Sequence, residues 1–66
     1  MNTYKIAYLD WYSNNIQFSE EEAESGLQAM KEMDGIYKFD SIIDEEEYFA
    51  KVESRGGFVA YETKTN

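Results

Sequence analysis

Tyr4, Ile6, Tyr8 and Tyr12 fall on alternate positions early in the chain, with Ala7, Leu9 and Trp11 between them. This period of two predicts a strand over residues 3–12 with two rather apolar faces. Ser13-Asn14-Asn15 is turn chemistry, because asparagine tolerates left-handed backbone, and residues 16–18 are expected to pair back as a short second strand. The spacing then changes. Ser19 followed by Glu22 fits a capping box, and Ala23, Leu27, Met30 and Met33 recur as the buried stripe of a helix that begins there. Gly26 would let that helix approach the sheet closely, and Asp34-Gly35 would close it with a left-handed cap.

Residues 36–43 alternate again, with Tyr37, Phe39, Ser41 and Ile43 on one side and Ile36, Lys38, Asp40 and Ile42 on the other, and read as a further strand. Asp44 resembles a second N-cap. Glu45-Glu46-Glu47 precede Tyr48, Phe49 and Val52 at a spacing that suits a short amphipathic helix. The alternative is that residues 48–54 form a strand paired with residues 58–63 across the glycines. Arg55-Gly56-Gly57 breaks the element, residues 58–63 form a last strand, and residues 64–66 fray. The sum is a single domain over residues 1–66 of the α+β class. A three- or four-stranded, mainly antiparallel sheet carries one or two helices on one face.

Chain length changes the picture first. A 66-residue chain has a thin core, and cores of this size supply roughly 3–5 kcal/mol unless disulfides, a metal or self-association add to them. With no cysteine and no histidine, a disulfide, a thiolate site and an imidazole site are all excluded, which leaves self-association. Disorder is disfavoured, since 42% of residues are hydrophobic and 17% aromatic. The N-terminus lacks a charged region followed by an apolar one, and no apolar run approaches a membrane-spanning length, so a cytoplasmic protein is expected.

Charge narrows the partners. Fourteen acidic residues face six basic ones, a formal charge of −8, so direct nucleic-acid and membrane partners are disfavoured and a basic protein surface is the complement. Catalysis through a Ser-His or Cys-His arrangement is excluded by composition, and an acid pair acting on glycosides needs a cleft that so small a core does not offer. The chain therefore reads as a non-enzyme without cofactor. Asp40, Asp44 and Glu47 could share a corner suited to calcium, but the EF-hand series is missing. Arg55-Gly56-Gly57 is a turn and does not make a phosphate loop.

The acids cluster at Glu20-Glu21-Glu22 with Glu24, and at Asp44 to Glu47 with Glu53. Acids that open helices favour the macrodipole by about 0.3–1 kcal/mol each, which would be reason enough for them. On the expected first helix, however, Glu21, Glu24, Gln28 and Glu32 project away from the apolar stripe, in a row roughly 16 Å long. Glu46, Glu47 and Glu53 face outward on the second. Such rows can stand in for a phosphate backbone, which in duplex DNA carries one charge per about 1.7 Å of axis. The partner-binding set is then Glu20, Glu21, Glu24, Glu32, Glu46, Glu47 and Glu53.

In size, acidity, aromatic content and mixed α/β pattern, the chain resembles the small acidic phage-encoded DNA-mimic inhibitors. The resemblance covers the whole chain and carries no diagnostic motif. It implies an inhibitor of a basic host nucleic-acid-binding protein, with a histone-like HU protein, an RNA polymerase or a nuclease as candidates. The alternative is a structural or adaptor module that binds through an aromatic sheet face, its acids serving only solubility. On either reading an exposed face bearing Tyr4, Ile6 and Tyr8 is the expected homodimer or partner contact.

Overall fold

The structure, a computed structural model, describes residues 1–33, 37 and 39–64. Its elements run β1 (Asn2–Asp10), β2 (Asn15–Ala23), α1 (Gly26–Glu32), α2 (Glu45–Ser54) and β3 (Val59–Lys64). The strands form a three-stranded antiparallel sheet in the order β2-β1-β3, and the two helices lie on one side of it.

The β1–β2 hairpin turns on Asp10. Its carboxylate accepts the Tyr12 amide at 3.0 Å and the Ser13 hydroxyl at 3.2 Å, while Asn14 takes the left-handed conformation at φ 57°. The turn takes in Trp11 and Tyr12, so β1 stops at Asp10 and not at residue 12 as expected.

β2 is the larger departure. It runs nine residues to Ala23, where sequence spacing predicts a short strand and then a helix from Ser19. The pattern Ser-x-x-Glu/Gln occurs twice, at Ser19–Glu22 and at Ser25–Gln28, and the second is the one used. Ser25 Oγ accepts the Gln28 amide at 3.1 Å, and Gln28 Oε1 accepts the Glu24 amide at 3.1 Å. Ser19 Oγ instead donates to Glu21 Oε1 at 3.0 Å within the strand. Pairing all nine residues of β2 with β1 satisfies more backbone than a helix end would, and Lys5 opposite Glu20 favours that register.

α1 closes at Met33, before the expected Asp34-Gly35 cap, which lies outside the described residues. The strand expected over residues 36–43 does not form at Tyr37 or at residues 39–43. The backbone turns at Asp40-Ser41, and the Ile42 amide bonds to the Phe39 carbonyl at 3.0 Å; Ile36 and Lys38 lie outside the described residues. Residues 45–54 are helix and not strand: Asp44 caps α2 by accepting the Glu46 amide at 2.8 Å, and Gly56 ends it at φ 76°.

Alternation along β1 assigns the layers. Tyr4 and Ile6 point into the core, where they meet Ala29, Met30 and Met33 of the α1 segment and Tyr48 and Val52 of α2. Tyr8 packs partly against the same cluster. The expectation that Tyr4, Ile6 and Tyr8 form an exposed contact face is therefore corrected: they lie on the side the helices cover, Ile6 at 0% exposure. Alternation alone could not say which of two apolar faces the helices would choose.

Two close approaches fix the helices. Tyr61 of β3 lies against the backbone of Gly26, where an added Cβ would fall 2.0 Å from its ring. The same ring meets Tyr4 edge-on at 5.5 Å and stacks on Phe49 at 6.4 Å. Tyr48, fully buried, donates its hydroxyl to the Tyr37 carbonyl and lies 3.4 Å from that of Met30, which ties α2 to the end of α1. The Tyr37 hydroxyl sits against Gly57 and finds no partner among the described residues, a desolvation cost of about 1–3 kcal/mol.

Gly26→Ala is expected to lower stability by about 1–3 kcal/mol, because the methyl group must displace the Tyr61 ring from a packed layer. Tyr48→Phe should cost a similar 1–3 kcal/mol by leaving buried carbonyls unpaired. Urea denaturation followed by circular dichroism measures both.

Candidate functional site

Strand register sorts the side chains of the uncovered sheet face into rows. Thr3 lies between Glu22 and Lys64, Lys5 between Glu20 and Glu62, and Ala7 between Phe18 and Ala60. Leu9 follows, opposite Ile16. The face is thus charged at the end where β1 starts and apolar at the hairpin end. Phe18 is 64% exposed and Ile16 45%. Lys5 Nζ lies 5.1 Å from the centre of the Phe18 ring, on the boundary between the two halves.

The helices add to the charged end. Both start beside Tyr61: Gly26, the first residue of α1, touches its ring, and Glu45, the first residue of α2, lies next to its hydroxyl. Glu24 just before α1 and Glu45-Glu46-Glu47 in the first turn of α2 therefore join Glu20, Glu21, Glu22 and Glu62 at one end of the molecule. Lys5 and Lys64 are the cations of that end of the sheet. Lys64 Nζ sits 2.7 Å from Glu20 Oε1, the one ion pair among the described residues, and both side chains are about half exposed. Its ammonium, by hydrogen bond and charge, holds the Glu20 carboxyl below the usual range. As a solvated surface pair it stabilises the fold little.

The seven acids singled out in the sequence do not form helical rows. Glu20 and Glu21 sit on adjacent positions of β2 and point to opposite faces, Glu21 half-buried on the Tyr4 side. Glu24 lies in the bend before α1, and Glu46 and Glu47 open α2. These five belong to the acidic end. Glu32 closes α1, its carboxylate accepting the Gln28 amide group at 3.2 Å, and Glu53 lies next to the last residue of α2, so both are carried away from it.

Sequence reasoning missed Glu22, Glu45 and Glu62. The signal for the first was the alternation Ile16, Phe18, Glu20, Glu22, which reads as a strand once the capping box is moved to Ser25. Among the described residues no three carboxylates form a group able to hold a metal ion, the Asp40, Asp44 and Glu47 corner included. No helix among them is long and apolar enough to cross a membrane.

The described surface carries open depressions. One of about 260 Å³ is floored by Ala7 and Ala60 and flanked by Phe18, Lys5 and Glu62. Another, about 370 Å³, lies between the end of α2 and the start of β3.

No protein-family model, curated protein or solved structure matches the chain.

The Glu45 carboxylate, with burial second, pushes the Tyr61 hydroxyl up to about 12. Burial raises Tyr48 likewise to about 12. A hydroxyl that holds its proton more tightly in the folded state stabilises the fold fully below the ordinary tyrosine value near 10, and this is lost as pH rises from there through 12. For buried Tyr48 the contribution is on the order of 2 kcal/mol. Unfolding is therefore expected between about pH 10 and 12, with two tyrosines titrating late in tyrosinate absorbance. Glu45→Gln should bring the Tyr61 step back toward the ordinary value and leave that of Tyr48 in place.

Proposed function

We propose that this chain is a non-enzymatic inhibitor that occupies the nucleic-acid-binding surface of a basic host protein, with its acidic end in the place of DNA phosphates. The observation that carries the reading is the convergence of acids from three separate elements on one end of the fold. The β2 run, the first turn of α2 and Glu62 of β3 are distant in sequence, and strand register together with the Tyr61 contacts gathers them. Helix starts account for the acids of α2 alone and do not explain why those of β2 and β3 lie at the same end. The strands and capped helix that carry the charges hold them in place, so little order is lost when a partner binds.

A protein that binds DNA through a broad basic surface, as a histone-like HU protein does, suits this end best. The basic channel of an RNA polymerase or a nuclease is the next candidate. Such binding involves no direct nucleic-acid contact, and it places the inhibitor in the cytoplasm of the host cell.

The charge-neutral alternative, an adaptor that uses its aromatic face, keeps one supporting feature: the apolar half of the open sheet bearing Phe18.

The test is competition. A histone-like HU protein bound to labelled duplex DNA should release it as this chain is added, with an apparent affinity that falls steeply as salt is raised from about 50 to 200 mM. Reversing Glu22, Glu24, Glu46 and Glu47 to lysine together should weaken competition at least about 100-fold, a few tenfold steps for several lost charge contacts, with circular dichroism unchanged. A ternary complex in which the partner holds both the chain and DNA would refute the proposal.

A further inference from the structure

The apolar half of the uncovered sheet face carries a projection and a recess on a single row. Phe18, at the edge of the sheet on β2, stands 64% exposed. Two strands away, Ala60 and its partner Ala7 floor the depression of about 260 Å³. We infer that the occupant of this face is a second copy of the chain, related by a two-fold axis that runs along β1, with each Phe18 seated on the other copy's Ala60.

A two-fold contact needs a surface complementary to itself, so that residue i meets j while j meets i. Turning a copy about an axis along β1 lays its β2 over β3 and keeps each row at its own level. Row by row, Phe18 then meets Ala60 twice, and Leu9 meets Leu9. At the far row Glu22 meets Lys64, and Lys64 meets Glu22.

The intermediate row is the unfavourable one, since Glu20 faces Glu62, with the two Lys5 ammonium groups between them. The other in-plane axis, across the strands, would put Phe18 and Ile16 over the glutamate rows and match nothing. Packed sheets of this kind lie about 10 Å apart with strands turned by about 30°, a gap that the Phe18 side chains from both sides would fill.

The size of the face sets the strength. Three strands spaced about 4.8 Å apart and nine residues at about 3.3 Å give a footprint of roughly 400 Å². This lies below the ~800 Å² per partner of a standard stable interface. The dimer is accordingly a weak one, in the class of small, transient contacts. It has a geometric consequence: Glu20, Glu22 and Glu62 turn toward the other copy, while Glu24 and Glu45 to Glu47 on the helix side stay outward at the same end of both copies. The inference does not rest on the proposed inhibitor function, because its test uses the chain alone.

Sedimentation equilibrium of the full chain from about 10 µM to 1 mM, a range suited to weak association, should show the average mass climbing toward that of a dimer. Phe18→Glu and Ala60→Glu, which remove the projection and fill the recess, should each weaken association at least about tenfold, the effect of losing one well-packed contact, with circular dichroism like the parent. A parent chain that stays monomeric over the whole range overturns the inference. So does either folded variant that associates as the parent does.

Discussion

Everything in this fold depends on β1 being paired on both edges. With β2 on one side and β3 on the other, its alternating side chains are forced into two classes. Tyr4, Ile6 and Tyr8 turn to the helices, and Thr3, Lys5, Ala7 and Leu9 turn to the uncovered face. Register carries the same division to the outer strands, so one central strand decides which residues of three are core and which are surface. A slip of one residue would bury Lys5 and expose Ile6, which is why the arrangement admits no neighbouring register.

The helices are placed by contact with this sheet more than by their own propensity. α1 has only seven residues, too few to hold a helix in isolation, and it persists because Ser25 caps it and Gly26 lets it rest on the Tyr61 ring. α2 is tied down by the Tyr48 hydroxyl at the carbonyls of Met30 in α1 and of Tyr37 beyond it. The ring of Tyr61 thus couples β3, α1 and α2 at the same end where the glutamates gather, so the packing that secures the helices also sets the geometry of the charge.

Much of this was legible in the residues. Gly56 as a stop, the asparagine turn and the close approach at Gly26 each rest on a local signal, and Asp44 with the glutamates behind it favours a helix over the strand that residues 48–54 also allow. The start of α1 was not legible in the same way, because Ser19–Glu22 and Ser25–Gln28 satisfy one capping pattern equally and only pairing with β1 decides between them. The glutamates of β2 misled for the same reason: an acidic run looks like a helix start until its partner strand is known. Of the acids, Glu46, Glu47 and Glu53 lie on α2 and Glu32 on α1, as the helical spacing predicts, whereas Glu20, Glu21 and Glu24 fall outside the helix expected from Ser19. That Tyr4 and Ile6 face inward is a tertiary choice between two apolar sides of one strand, and no single segment encodes it.

β2 also leaves a long row of amide and carbonyl groups along the outer border of the sheet without a partner strand among the described residues. Such a border is an invitation for any extended peptide to add itself as a further strand, and the ordinary deterrent is charge. Here three successive glutamates occupy its second half while Ile16 and Phe18 occupy the first. The same acids that crowd one end of the molecule therefore act as gatekeepers against fibril growth, and the hairpin half of the border, which has none, is where a misfolded neighbour would first take hold.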